Sequence, residues 1–123
     1  MTAFAVLIAL SATAPVEIPP AFHGRWGLDM VDCAAPAPGA PAPDGLIVVR
    51  GDGIEFFASR ADLLDVVTPD RGFAFVALVH NEGEEHPIRE RIVLRLDGAT
   101  LVVRLGGDAL SYRRCPEVAR RDL

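Results

Sequence analysis

Lysine is missing from this chain: all 12 basic residues are arginine, set against 17 acids, for a net charge of −5. A polyanion binder needs a surplus of clustered positive charge, so this balance argues against a nucleic-acid partner. Long apolar runs are also missing. The stretch Ala3 to Leu10 falls well short of the roughly 20 residues a membrane-spanning helix requires. Only two cysteines are present, and they have neither the Cys-x-x-Cys pairing of a redox site nor the short paired spacings of a zinc site.

The sequence templates of catalysis are equally absent. There is no G-x-S-x-G nucleophile elbow, no H-E-x-x-H and no glycine-rich phosphate loop. Ser-His-Asp assemblies are recognised by geometry rather than order, but Ser59, Ser111, His23, His80 and His86 read as an ordinary inventory of residues. The expectation is a protein that is not an enzyme. The one polar cluster is HNEGEEH, which places His80, Glu82, Glu84, Glu85 and His86 in a single loop. Imidazoles and carboxylates are transition-metal ligands, yet a charged loop without rigid spacing reads first as a solvated hairpin tip. No metal and no cofactor is expected, and a metal or enzymatic role for residues 80–86 is the remotest of three functional readings.

A length of 123 residues, half of them hydrophobic, suits one domain with one core. Residues 1–14 pair an uncharged apolar run with Ser11, Ala12, Thr13 and Ala14, the h-region and small-residue cleavage site of a secretory signal. The alternative is an apolar first strand or helix of a cytosolic protein. Export carries an expectation for Cys33 and Cys115, an even pair near opposite ends of the remaining chain. In an oxidising compartment they form one disulfide, and the location is periplasmic or secreted.

Residues 15–23 are held extended by their prolines and read as an N-terminal arm. The barrel domain is assigned to 24–115 and a tail to 116–123. In GRWGLDM, Trp26, Leu28 and Met30 alternate with Arg25, Gly27 and Asp29, which predicts a half-buried strand. Ala34 to Asp44 is a low-complexity Pro/Ala loop. From Gly45 on, short β-type runs alternate with turn signals: LIVVR, IEFFA, LLDVV, FAFVALVH, IRERIVLRL, TLVVRL and ALSYRRC. This punctuation predicts an all-β antiparallel meander of seven to eight strands, closed or nearly closed into a small barrel. SRADLLDVV reads as a strand, or as one helical turn followed by a strand.

Taking Asp97-Gly98 as a hairpin loop pairs Leu94 with Leu101, Ile92 with Val103 and Arg91 with Arg104. Taking Gly107-Asp108 as the next pairs Leu105 with Leu110 and Val103 with Tyr112. Trp26, Leu28, Met30, Ile54, Phe56, Ile92, Leu94, Val103 and Tyr112 are then expected to fill the lumen and leave little cavity. A disulfide between Cys33 and Cys115 conflicts with an eight-stranded meander, in which the first and last strands are antiparallel. Either strand one is very short and the loop after it folds back, or the strand number is odd.

Gly24-Arg25-Trp26 on the first strand, with Arg113 and Arg114 on the last, resembles the lipocalin-like (calycin-like) barrels, in which an Arg from the last strand packs over the Trp of a G-x-W. The resemblance implies a structural barrel-end pair of Trp26 and Arg114. A larger set, IPPAFHGRW, GLIVV, FFASRADL and YRRCP, is similar to small exported alphaproteobacterial proteins, which implies a compartment and a β fold but no reaction. Bacterial barrel inhibitors of secreted proteases are similar in having an arm ahead of a G-x-W strand. That likeness implies a protein partner contacted through Pro15, Val16, Glu17, Ile18, Pro19 and Pro20.

The leading functional expectation is therefore an exported, non-catalytic binding or inhibitory barrel, monomeric and without a membrane span. The second is a carrier of a small apolar ligand. Arginines crowd the C-terminal half, at 89, 91, 95, 104, 113, 114, 120 and 121. On outer strand faces they suit an acidic partner or a sulfated or phosphorylated glycan, although neighbouring acids commonly balance such faces.

Overall fold

The computed structural model describes residues 16–34, 38–41, 43–67 and 72–116. The segment 1–14 expected to be a signal, Pro15, the tail beyond Pro116 with Arg120 and Arg121, part of the Pro/Ala loop and residues 68–71 lie outside the described residues.

Eight strands form a closed antiparallel barrel in chain order: β1 Gly24–Gly27, β2 Leu46–Arg50, β3 Gly53–Phe56, β4 Ser59–Val67, β5 Phe73–Asn81, β6 Ile88–Asp97, β7 Thr100–Leu105 and β8 Asp108–Arg114. Every neighbour in the ring is also a neighbour in sequence except β1 and β8, which close it. GIEF and SRADLLDVV are separate strands. The second is strand from its first residue, with a bulge at Leu63–Asp65 and no helical turn. Alternation puts Ile47, Val49, Ile54, Ala61, Phe75, Ala77, Ile92, Leu94, Leu101, Val103 and Tyr112 inside, all buried.

Both glycine-marked hairpins turn one residue away from where the sequence reading has them, the first one residue later and the second one residue earlier. Asp97 pairs with Thr100 and Leu105 with Asp108, so the loops are Gly98-Ala99 and Gly106-Gly107. Gly98 and Gly106 take positive φ of 59° and 62° at the first loop position, which an L side chain adopts only at a cost. The cross-strand partners change accordingly: Leu94 faces Val103, Leu101 faces Tyr112, Val103 faces Leu110, and Arg104 faces Val93 rather than Arg91.

The first strand is also shorter than its alternation suggests. Leu28 and Met30 are not in the lumen; they are 38% and 46% exposed. β1 stops at Gly27, the Leu28 N–H bonds the Gly45 carbonyl at 3.0 Å, and Met30–Cys33 forms a 3-10 turn that doubles back. That reversal resolves the conflict over the cysteines. Cys33 and Cys115 are disulfide-bonded with Cα atoms 5.2 Å apart, within the range a bridge requires. Gly27 is what makes the return path passable, because a Cβ there would stand 3.1 Å from Cys33 Sγ and 2.7 Å from the Asp29 carbonyl.

Candidate functional site

The strands leave the barrel with two different ends. At the end where β1 begins, the arm folds over the opening. Ile18 is fully buried within the core and its N–H bonds the Gly51 carbonyl at 2.8 Å. His23 Nε2 lies 2.6 Å from the Ile18 carbonyl; a carbonyl only accepts, so this ring nitrogen carries the proton. The 3-10 turn Pro20–Phe22 then brings Phe22 against Phe73, with ring centroids 6.3 Å apart.

Trp26 is 1% exposed and donates from Nε1 to the Phe22 carbonyl at 3.0 Å. Over its ring lies Arg114, Cζ 4.1 Å from the centroid. The guanidinium also donates to the carbonyls of His23, at 2.8 Å, and Ala21, at 3.0 Å. Its planar fork thus reaches two backbone acceptors while its face covers an indole, a combination lysine cannot reproduce. Gly24, at φ 130°, gives this arrangement room, since a Cβ there would sit 3.0 Å from Arg114 Nη1.

This packing reduces the contact set expected for residues 15–20. Ile18 belongs to the barrel's own core and is not offered to a partner, because an apolar side chain beside an open barrel end gains more by filling it than by waiting in solvent. Val16, Glu17 and Pro20 remain on the surface, Val16 at 62% exposure.

The 80–86 loop shows no convergent chemistry. His80 Nε2 stands 3.2 Å from Asp62, which also takes the Arg60 guanidinium at 3.0 Å. Glu82, Glu84, Glu85 and His86 are exposed, and Glu84 is engaged locally with Asn81. Among the described residues, no group of three or more His, Cys, Asp or Glu is gathered for a metal ion. Ser59 and Ser111 lie on β4 and β8, on opposite sides of the ring.

The outer face of β6, β7 and β8 is different in kind. Its outward positions carry Arg89, Arg91, Val93, Arg95 and Asp97 on β6, Thr100, Val102 and Arg104 on β7, and Ala109, Ser111 and Arg113 on β8. Five arginines share this face with one acid, Asp97, at its far turn. All five are exposed, and among the described residues none makes a salt bridge. A chain that is acidic overall has separated its charge. A shallow pocket of about 370 Å³ opens there, lined by Glu90, Arg91, Val93, Arg104 and Gly106. The arginine surplus is legible in the sequence; the pocket is not, because it depends on where the β7–β8 turn falls along β6.

Among the described residues, no helix is long and apolar enough to cross a membrane. No protein-family model matches the chain, and no similar curated protein or solved structure was found.

Proposed function

We propose that this is a non-catalytic binding or inhibitory protein of an oxidising compartment, periplasmic or secreted, that meets its partner with the outside of the barrel. One observation carries the reading: the interior is occupied by the protein's own side chains. Trp26, Phe75, Ile54, Ile92, Leu94 and Leu101 are fully buried, Tyr112 nearly so, and Ile18 is added from the arm. A carrier of small apolar molecules needs a lumen of roughly 300 Å³ or more, and these residues stand where such a ligand would go. The closed eight-stranded meander, with Gly24-x-Trp26 under Arg114, supports the lipocalin-like (calycin-like) resemblance. The disulfide supports the compartment.

The test is capture from the envelope fraction with the immobilised oxidised protein, followed by titration of the purified captured protein. A saturable stoichiometric complex is expected. Saturable uptake of a fatty acid or a fluorescent apolar probe that quenches Trp26, with no protein complex, would overturn the reading in favour of a carrier.

A further inference from the structure

Strand β6 is longer than its neighbour. It begins at Ile88, but its ladder to β7 begins only at Ile92, which pairs with Leu105. Past that point β7 has already turned through Gly106-Gly107. Residues 88–91 are therefore paired to β5 on one side, through Val79, Leu78, Ala77 and Val76. Among the described residues they have no backbone partner on the other side. Antiparallel ladders aim alternate residues at each neighbour. The Asp97–Thr100 pair closes a two-residue loop, so the residues aimed at β7 are 97, 95, 93, and by continuation Arg91 and Arg89. Arg91 stands opposite Gly106, where β7 turns away, and Arg89 has no β7 residue opposite it, so among the described residues the N–H and C=O groups of both have no backbone hydrogen-bond partner along the line β7 would occupy if it went on. The pocket formed by Glu90, Arg91, Val93, Arg104 and Gly106 lies at this step.

Open strand edges are sites for strand addition, and the side chains here decide what can be added. A second copy of this edge pairs badly. Same-face residues oppose each other across an antiparallel two-fold, which sets Arg89 against Arg91 and Glu90 against Glu90, and like charges directly opposite are destabilising. A lipid surface or a glycan lacks the alternating donors and acceptors that would satisfy the edge. A peptide has them. On the outward face it would meet Arg89, Arg91 and, diagonally across Val93 at about 7 Å, Arg104. On the other face it would meet Glu90.

We propose that the β6 edge at Ile88–Arg91 receives an extended polypeptide segment as an added strand. Acidic residues at alternate positions of that segment face Arg89, Arg91 and Arg104, and uncharged residues between them face Glu90. This deepens the binding reading above and rests on it. Four residues of edge make a short ladder, so recognition comes from the arginine forks and the backbone together.

A fluorescent peptide of alternating Asp and Val is the probe, titrated at low ionic strength, with four comparison ligands: its Lys-for-Asp counterpart, the same peptide N-methylated on alternate backbone amides, a heparin-derived oligosaccharide, and phosphatidylglycerol vesicles. Saturable binding of the Asp/Val peptide is expected, weakened about tenfold by Arg91→Ala with Arg104→Ala, as the loss of charge-assisted bonds predicts. Arg50→Ala, on the β2–β3 side of the ring, should leave it unchanged. N-methylation should weaken binding severalfold, and the Arg89 and Arg91 amides should gain hydrogen-exchange protection in the complex, which electrostatic attraction alone would not produce. Preferential binding of the oligosaccharide or vesicles, indifference to N-methylation, or unprotected Arg89 and Arg91 amides at saturation would overturn the proposal. If a partner captured from the envelope binds the Arg91/Arg104 variant as well as the parent, this edge is excluded while the binding reading stands. If no partner is captured at all, the broader reading fails first.

Discussion

Arg114 does the work of several residues at once. It covers the indole of Trp26 and donates to two carbonyls of the arm, so its side chain joins the last strand to the first strand and to the segment before it. Arg114→Ala removes two hydrogen bonds and a stacked cation, an expected loss of about 2 kcal/mol in urea unfolding followed by Trp26 fluorescence. Arg114→Lys keeps the charge without the fork and should recover less than half of that. Tyr112, the single tyrosine, offers a pH test. Burial, and secondarily the Asp32 carboxylate, raise its phenol above the ordinary value of 10.0. The folded state therefore releases this proton later than the unfolded chain does. The associated stability is intact below pH 10 and declines as pH rises from there through the folded value. Unfolding free energy should fall on the alkaline side, and Tyr112→Phe should flatten that limb. Difference absorbance of the phenol reports the same group without interference from another tyrosine.

At the scale of elements, the inside and outside of the β6–β8 hairpins were readable from the sequence, whereas their partners were not. Moving a two-residue loop by one position changes each pairing sum by two, so Leu94 and Leu101 stay interior while exchanging opposite neighbours. Glycine position alone does not decide between Asp97-Gly98 and Gly98-Ala99, because either places a glycine where positive φ is wanted. The end of β1 was legible only as one of two alternatives, a very short strand one or an odd strand number, and the structure has the short strand. Leu28 and Met30 continue the alternation of Trp26, but the disulfide and the Gly45 hydrogen bond are long-range constraints that override it. Ile18 carried no periodic signal, standing alone between Glu17 and two prolines. Its burial nonetheless makes the arm part of the fold. Ile18→Ala should cost about 3 kcal/mol, the usual range for truncating a buried aliphatic residue, and should loosen Trp26. Thermal unfolding monitored by Trp26 emission will show whether the arm and barrel melt together.

Over the whole molecule, stability should be uneven around the ring. Strands β4, β5 and β6 run nine to ten residues each and pair along most of their length. The seam between β1 and β8 has two paired positions, Trp26 with Arg114 and Gly27 with Arg113, extended by the Cys115 N–H to the Arg25 carbonyl. Native-state hydrogen exchange should find β5 and the doubly paired part of β6, from Ile92 onward, slowest and β1 fastest, with β1 opening sub-globally. Cys33 and Cys115 stand 82 positions apart in sequence, and the chain-entropy model assigns a loop of that size about 4.5 kcal/mol. Cys33→Ser with Cys115→Ser should lower the melting temperature and raise exchange in β1 and β8 well before it affects β5.

That seam gives the molecule a built-in sense of its surroundings. A ring fastened at one narrow place by a sulfur link, one guanidinium and a pair of ladder rungs is held more loosely once that link is reduced. In thiol-rich surroundings the same chain should keep its broad central sheet while its first and last strands part more readily, so the hoop is at its firmest where cysteines stay joined.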